Sequence, residues 1–303
     1  MARKVTTRKS PEERRAQAEA LQASIAEQVE ELRGSEQWQL FLDFARSFHS
    51  YSLSNVLLIL AQCPTATRVA GFRQWQEKGR QVRKGEKAIR IFGFRQKKVT
   101  DEEAPEGEED AETNEKGERV VTYYPVLSVF DISQTDLTDP EAGDPSQIAR
   151  RLEGEEPRGI LAAAADWLTG QGWSFEREQI PGSVNGYTTT DGTRRVVVDA
   201  DLSPAQAAKT ALHEAAHVIL HAEEDHAEYV QHRGIKETEA ESVAYVVAGL
   251  LGLDTTAYSI GYVAGWSQGE AEAIKGTAAR VLRAAHTLAD AITAPAEPGE
   301  DAA

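Results

Sequence analysis

The sequence predicts an α+β protein of two domains: a small basic α+β domain, then a mainly helical domain with a small sheet. Three observations carry this expectation. The 303 residues suffice for two ordinary cores. Helical periodicity gives way to strand-like segments in the first half, and strands give way to helices in the second. Charge is divided unevenly: residues 1–100 hold 19 Lys and Arg against 10 Asp and Glu, so a chain of net charge −16 carries +9 there and −25 in the remainder. Such asymmetry suggests a basic module joined to an acidic one.

Hydrophobic residues make up 41% of the chain, enough for packed cores. The apolar run from Val56 to Ala61 is far shorter than the ~20 residues a membrane-spanning helix needs, so no membrane partner is expected. Arg3, Lys4, Arg8 and Lys9 are not followed by an apolar stretch, which argues against a secretory signal. A single cysteine, Cys63, excludes an intrachain disulfide, and a cytoplasmic protein is expected.

Residues 1–10 read as a disordered tail and residues 11–135 as the basic domain. Pro11 to Arg33 favours helix, with Leu21, Ile25 and Val29 at spacing four. A second helix starts at Ser35 and a third spans Leu53 to Ala61, stopping near Pro64. Val69 and Ile89–Phe94 read as strands, with a short helix over Phe72–Lys78 and a turn at Lys84-Gly85-Glu86. Residues 101–118 hold ten Asp and Glu against one Lys and read as a solvated acidic insert. Val120–Phe130 resumes as β structure, and the boundary is placed in residues 132–146. Residues 145–292 form the second domain, followed by a disordered tail at 293–303. There a helix (Ile160–Leu168) precedes three strands (Trp173–Glu176, Gly186–Thr190, Arg194–Val198). Ser203-Pro204 then starts a helix to about His221, another spans Lys236 to Leu251, and two more follow.

The residues Ala211–His221, ALHEAAHVILH, carry the most specific signal. On a helix, positions i and i+4 share one face, with Cβ atoms ~5–6 Å apart. His213 and His217 can therefore reach one zinc ion at ~2.0–2.1 Å, with Glu214 beside the metal as general base rather than ligand. The bland alternative is an amphipathic helix that happens to contain histidines. A catalytic zinc takes a third protein ligand, and Glu237, Glu239 and Glu241 lie on the next helix. A carboxylate on an apolar helix is costly to bury unless paired or metal-bound, and Glu239 shares a face with Val243. Glu239 is taken as the ligand, with Glu241 available to orient a histidine. His221, His226 and His232 read as loop or helix-end surface residues. Tyr258 and Tyr262 are candidate oxyanion donors whose alternative is core packing.

Residues 66–100 interleave eleven Lys and Arg with Phe72, Trp75, Phe92 and Phe94. Single-strand binding needs this mixture: cations to follow phosphates and π-faces on which bases stack. The candidates are Arg73, Trp75, Arg80, Arg83, Lys84 and Lys87, with Tyr51 and Asn55 on the preceding helix. A solvated basic sheet face over buried aromatics is the alternative.

HEAAH followed by ETEAESVAYVVAGLLG resembles the ImmA/IrrE-type zinc peptidases of the gluzincin kind. That resemblance implies a third ligand in an EA-containing motif on the next helix, which maps to Glu239-Ala240. The stretch YSLSNVLLILAQCPTATRVAGFRQWQEKGRQVRKGEKAIRIFGF is similar to the N-terminal domain of ArdC-like antirestriction proteins, which implies single-stranded DNA as partner. The order of the two modules is also ArdC-like, and the resemblance covers roughly residues 35–135 and 145–285. The implied protein binds single-stranded DNA and cleaves an unknown protein substrate through Zn2+, His213, His217, Glu239 and the base Glu214. The alternative is a non-enzymatic single-stranded-DNA binder whose zinc domain is structural or binds a partner.

Overall fold

A computed structural model describes residues 10–48, 50–98, 112–113, 119–138, 157–182, 184–222, 233–253 and 271–293. Two compact units divide the chain, one of Met1–Gln28 and Ser54–Ser146, the other of Val29–Leu53 and Gln147–Ala303. The α+β, two-domain expectation holds. Helices α1 (Pro11–Glu31), α2 (Ser35–Phe48) and α3 (Leu53–Gln62) open the chain. Ser10 starts α1 with a reciprocal cap: its Oγ accepts from the Glu13 amide at 3.0 Å, and the Glu13 carboxylate accepts from the Ser10 amide at 2.6 Å.

In the first unit, α3 buries Val56 to Leu60 without interruption. There follow β1 (Val69–Gly71), α4 (Phe72–Glu77), β2 (Arg80–Val82), β3 (Ile89–Phe92), β4 (Arg95–Lys98), β5 (Glu112–Thr113), β6 (Arg119–Tyr123), β7 (Val126–Asp131) and β8 (Thr135–Leu137). The sheets are antiparallel, with orders β1-β7-β3, β4-β6-β5 and β2-β8. The β segment expected over Val120–Phe130 breaks at Tyr124-Pro125, where Pro125 has no amide hydrogen to continue a ladder. Its carbonyl instead accepts from the Gly93 amide at 2.8 Å. A Cβ on Gly93 would lie 2.6 Å from Leu127 Cδ1, so a larger residue at this corner would have to displace the Leu127 side chain.

The boundary expected over 132–146 starts later than its composition suggests. Ile132–Gln134 form a 3-10 helix capped by Asp131, and β8 then pairs with β2. Asp131 anchors the turn by accepting from the amides of Thr67 (2.8 Å), Arg68 (3.0 Å) and Ser133 (2.8 Å). Burial raises its pKa, yet these bonds outweigh burial and lower it overall. Apart from Glu112 and Thr113, which pair with β6, the acidic insert lies outside the described residues.

The second unit holds α5 (Pro157–Gly170), β9 (Ser174–Glu178), β10 (Gly186–Thr188), β11 (Arg195–Asp199), α6 (Pro204–His221), α7 (Arg233–Leu250) and α8 (Ala271–Thr293). β11 is central, antiparallel to β10 and parallel to β9, and buries Val196, Val197 and Val198 completely. The Ser203 hydroxyl accepts from the Gln206 amide at 3.3 Å, and Pro204 opens α6. Ala207, Ala208, Ala211, Leu212, Ala215 and Ala216 bury one side of α6, leaving its position little freedom.

α2 was expected in the basic domain but packs against α7 in the second unit. Its apolar stripe of Trp38, Phe41, Leu42 and Ala45 is buried, and the Trp38 indole donates to the Ser242 hydroxyl at 3.2 Å. Tyr245 of α7 donates to Asp43, and Arg46 lies 5.6 Å over the Tyr245 ring. A Cβ on Gly249 would collide with the Arg46 guanidinium. The surface complementary to α2 sits on a helix two hundred residues on.

Candidate metal centre and basic surface

His213 and His217 stand one turn apart on α6, with their Nε2 atoms 3.1 Å from each other. Glu237, near the start of α7, places Oε2 3.4 Å from His213 Nε2 and 3.7 Å from His217 Nε2. Ligand atoms of these three residues lie within 4.8 Å of one another, so the trio can hold a divalent metal ion. Two donors at ~2.0–2.1 Å from one tetrahedral centre lie about 3.3–3.4 Å apart, and the three observed separations bracket that value.

Glu239, the expected third ligand, is elsewhere. Its carboxylate is 1% exposed and accepts from His221 Nε2 at 3.0 Å and from Arg280 Nε at 3.0 Å. Residues two apart on a helix point to nearly opposite sides. With Glu239 turned inward, Glu237 and Glu241 share the face toward α6. The burial argument picked the most buried carboxylate, but the one facing both imidazole Nε2 atoms is 41% exposed in an open cleft. The Glu237/Glu241 spacing of four, matching that of His213/His217, was the usable signal.

Both histidines are anchored through Nδ1. His213 Nδ1 meets Glu241 Oε2 at 3.0 Å, and Lys209 Nζ holds the other Glu241 oxygen at 2.8 Å. His217 Nδ1 meets His221 Nδ1 at 3.1 Å. His221 was expected at the surface, but it is buried and forms part of this network. His226, His232, Tyr258 and Tyr262 lie outside the described residues.

Glu214 is buried beside the imidazoles, and burial pushes its pKa up. The Thr188 hydroxyl donates to its Oε2 at 2.8 Å and orients it. β10 approaches so closely that a Cβ on Gly186 would lie 2.6 Å from Thr210 Cγ2 and 2.9 Å from the Val197 carbonyl. A cleft of about 1380 Å³ opens over these groups, lined also by Trp167, Trp173 and Tyr187.

Without a metal, burial disfavours the His213 imidazolium, but hydrogen bonds to Glu237 and Glu241 prevail and push its pKa up to about 10. Glu237 falls well below the usual carboxylate range, chiefly through His213 and then His217. The folded-state pKa of His213 thus exceeds its ordinary 6.5, so its stabilising contribution is full below pH 6.5 and lost as pH rises toward about 10. Metal-stripped protein is expected to lose thermal stability across that window, and metal-loaded protein much less. Melting temperatures at several pH values, with chelator or metal, check this; a flat metal-free profile contradicts it.

In the first unit the structure divides the expected nucleic-acid residues. Trp75 is fully buried, its indole donating to the Phe130 carbonyl at 2.8 Å, and cannot stack on a base. Asn55 clamps β3, donating to the Phe92 carbonyl at 2.8 Å and accepting from the Phe92 amide at 2.9 Å. Arg80 is buried against Thr135, its Nε donating at 2.7 Å. Tyr51 falls in the second unit, half-buried against Phe48. Aromatic and cationic residues that the chain uses as core cannot be told by composition from those it exposes. Arg83 is exposed but pairs with Glu86 (3.0 Å) and Asp136 (3.2 Å), while Arg73, Lys84 and Lys87 are exposed. All four residues of β4 are exposed, next to Phe94 and Tyr124, which are 64% and 63% exposed and meet edge to face at 6.1 Å.

Residues 15–130 match the N-terminal domain of anti-restriction factor ArdC, and residues 175–259 match the IrrE N-terminal-like domain of the M78 peptidase group. The architecture is ArdC-like. His213, His217 and Glu237 fall inside the second match, and the basic β4 inside the first. An uncharacterized protein of Bacillus anthracis is 26% identical over 253 residues, 75% of this chain; the chain spans only 42% of that relative's length. Two crystal structures of the antirestriction ArdC protein from the R388 plasmid are also similar. The metal-free one has a TM-score of 0.47 at 21% identity, covering 79% of this chain and 82% of the other. The Mn(II)-bound one has a TM-score of 0.41 at 19% identity, covering 84% and 96%. No helix among the described residues is long and apolar enough to cross a membrane.

Proposed function

We propose that this ArdC-like chain is an antirestriction protein that binds single-stranded DNA through its basic unit and hydrolyses a peptide bond at a zinc site in its second unit. One observation carries the enzymatic reading: three donor atoms spaced like three corners of a tetrahedron, with the cleft on the remaining side and the buried Glu214 carboxylate adjacent. A structural zinc is closed by four protein ligands, whereas three with an accessible fourth position suit catalysis. Zinc supplies Lewis acidity there, polarising a carbonyl and acidifying water. His213, His217 and Glu237 would hold it, and Glu241 fixes the His213 ring. Glu214 accepts a proton on its carboxylate and returns it to the leaving amine, while Thr188 keeps that carboxylate aimed into the cleft. Trp167, Trp173 and Tyr187 offer apolar surface to a substrate side chain.

The DNA reading rests on the exposed set: Arg73, Lys84, Lys87, Arg95 and Lys97 as phosphate contacts, with Phe94 and Tyr124 as stacking faces. The full chain is expected to bind single-stranded oligonucleotides more tightly than duplex DNA or an acidic peptide. Affinity should fall with salt at a log–log slope of about −0.7 per phosphate contact. Phe94→Ala and Tyr124→Ala should each cost ~1–3 kcal/mol of binding, while Lys84→Ala should flatten the salt slope. Fluorescence anisotropy across a salt series decides; an acidic peptide bound as well as DNA, or no response to these substitutions, removes the assignment.

A further inference from the structure

The metal-side histidine His217 does not end its contacts at the surface of the site. Its Nδ1 lies 3.1 Å from His221 Nδ1, the His221 Nε2 lies 3.0 Å from Glu239 Oε2, and Glu239 Oε1 takes Arg280 Nε at 3.0 Å. His221 and Glu239 are buried, whereas the Arg280 side chain on α8 is 45% exposed. Four side chains from three helices thus form one line from the cleft to the surface.

Each link constrains the next. A carboxylate that is 1% exposed needs a countercharge, and Arg280 supplies it with two guanidinium nitrogens on one oxygen. The second Glu239 oxygen can only accept, so His221 carries its hydrogen on Nε2 and presents a lone pair at Nδ1. His217 must then donate from Nδ1, which leaves its Nε2 lone pair facing His213 and Glu237. The opposite tautomer would put a hydrogen on Nε2, where it blocks a metal. The Lys209–Glu241 pair imposes the same choice on His213 from the other side.

We propose that Arg280, acting through Glu239 and His221, fixes the tautomer and ring orientation of His217 and so determines how tightly the metal is held. His221, Glu239 and Arg280 are positioning residues rather than ligands. The proposal rests on the metal site proposed above. It places one determinant of metal affinity on α8, beyond the residues matched to the IrrE-like domain, which end at 259.

The test uses the full-length chain, with Zn2+ affinity read by chelator competition and Co2+ coordination read by its visible absorption. His221→Phe, which removes the acceptor, and Arg280→Gln, which removes the distal charge, should each weaken Zn2+ about 10- to 100-fold. Both should keep one metal per chain at saturation and show an altered Co2+ spectrum. His221→Asn, which offers a carbonyl oxygen near the former Nδ1, should recover much of the loss. Circular dichroism checks folding, and the half-exposed Arg280 keeps the test open should His221→Phe fail to fold. His213→Ala reports on the site itself. If it loses the metal while Arg280→Gln, and His221→Phe where it folds, match wild type in affinity and spectrum, the relay is wrong and the metal site stands. If His213→Ala binds Zn2+ like wild type, the metal site and the relay fall together.

Discussion

Glu237→Ala is expected to strip the metal from this protein, and Glu239→Ala is not. The two residues lie two positions apart on α7, and the helix turns them to opposite sides. Glu237 Oε2 is within 3.4 and 3.7 Å of the two imidazole nitrogens, while Glu239 accepts from His221 and Arg280. A four-ligand zinc site is worth ~10–16 kcal/mol, so one ligand carries on the order of 3 kcal/mol, a factor of ~10² or more in affinity. Removing a residue that only orients a ligand costs ~10- to 100-fold and spares stoichiometry at saturating metal. Metal analysis after dialysis against a weak chelator should show His213→Ala, His217→Ala and Glu237→Ala empty and Glu239→Ala refillable to one ion per chain. Melting temperatures give a second reading, since a ligand at 100 times its Kd stabilises by about 2.7 kcal/mol. A Glu237→Ala protein that keeps stoichiometric metal would return the third position to another carboxylate.

Most elements were legible because their signals are local. Ser203-Pro204 starts α6, the i, i+4 histidines share its face, and the α5 and α7 periodicities survive with ends shifted by a few residues. The readings that failed depend on distant partners. Nothing near Trp38 or Asp43 tells that their counterparts are Ser242 and Tyr245, so the packing of α2 against α7 is not legible in the sequence. Trp75, on α4, looks like a stacking residue until Phe130 offers its carbonyl from β7. Glu239 looks like a ligand because burial of a carboxylate demands a partner, and that partner, Arg280, lies forty-one residues further on. In each case local chemistry showed that a partner was required, and the fold decided which one.

Glu214→Gln should separate catalysis from binding. The substitution keeps the shape of a side chain that is 5% exposed, and the amide carbonyl can still accept from the Thr188 hydroxyl. Zinc content and single-strand affinity should therefore stay near wild type, because Glu214 belongs to neither the metal-holding trio nor the basic surface. Only the carboxylate's capacity to take a proton is lost. General-base removal costs ~10²–10⁴ in rate, which exceeds the effect of a small packing change. Burial raises the Glu214 pKa, so its carboxylate is a stronger base than one in water. With no defined substrate, the measurement is a comparison of the proteins that accumulate in cells carrying Glu214→Gln and disappear with wild type, with and without incoming single-stranded DNA. Peptide bonds cleaved only by wild type identify the substrate. Should no protein differ, and should protection of incoming DNA survive the substitution undiminished while Glu237→Ala abolishes it, the metal would serve as a brace for binding, and the non-enzymatic reading would replace hydrolysis.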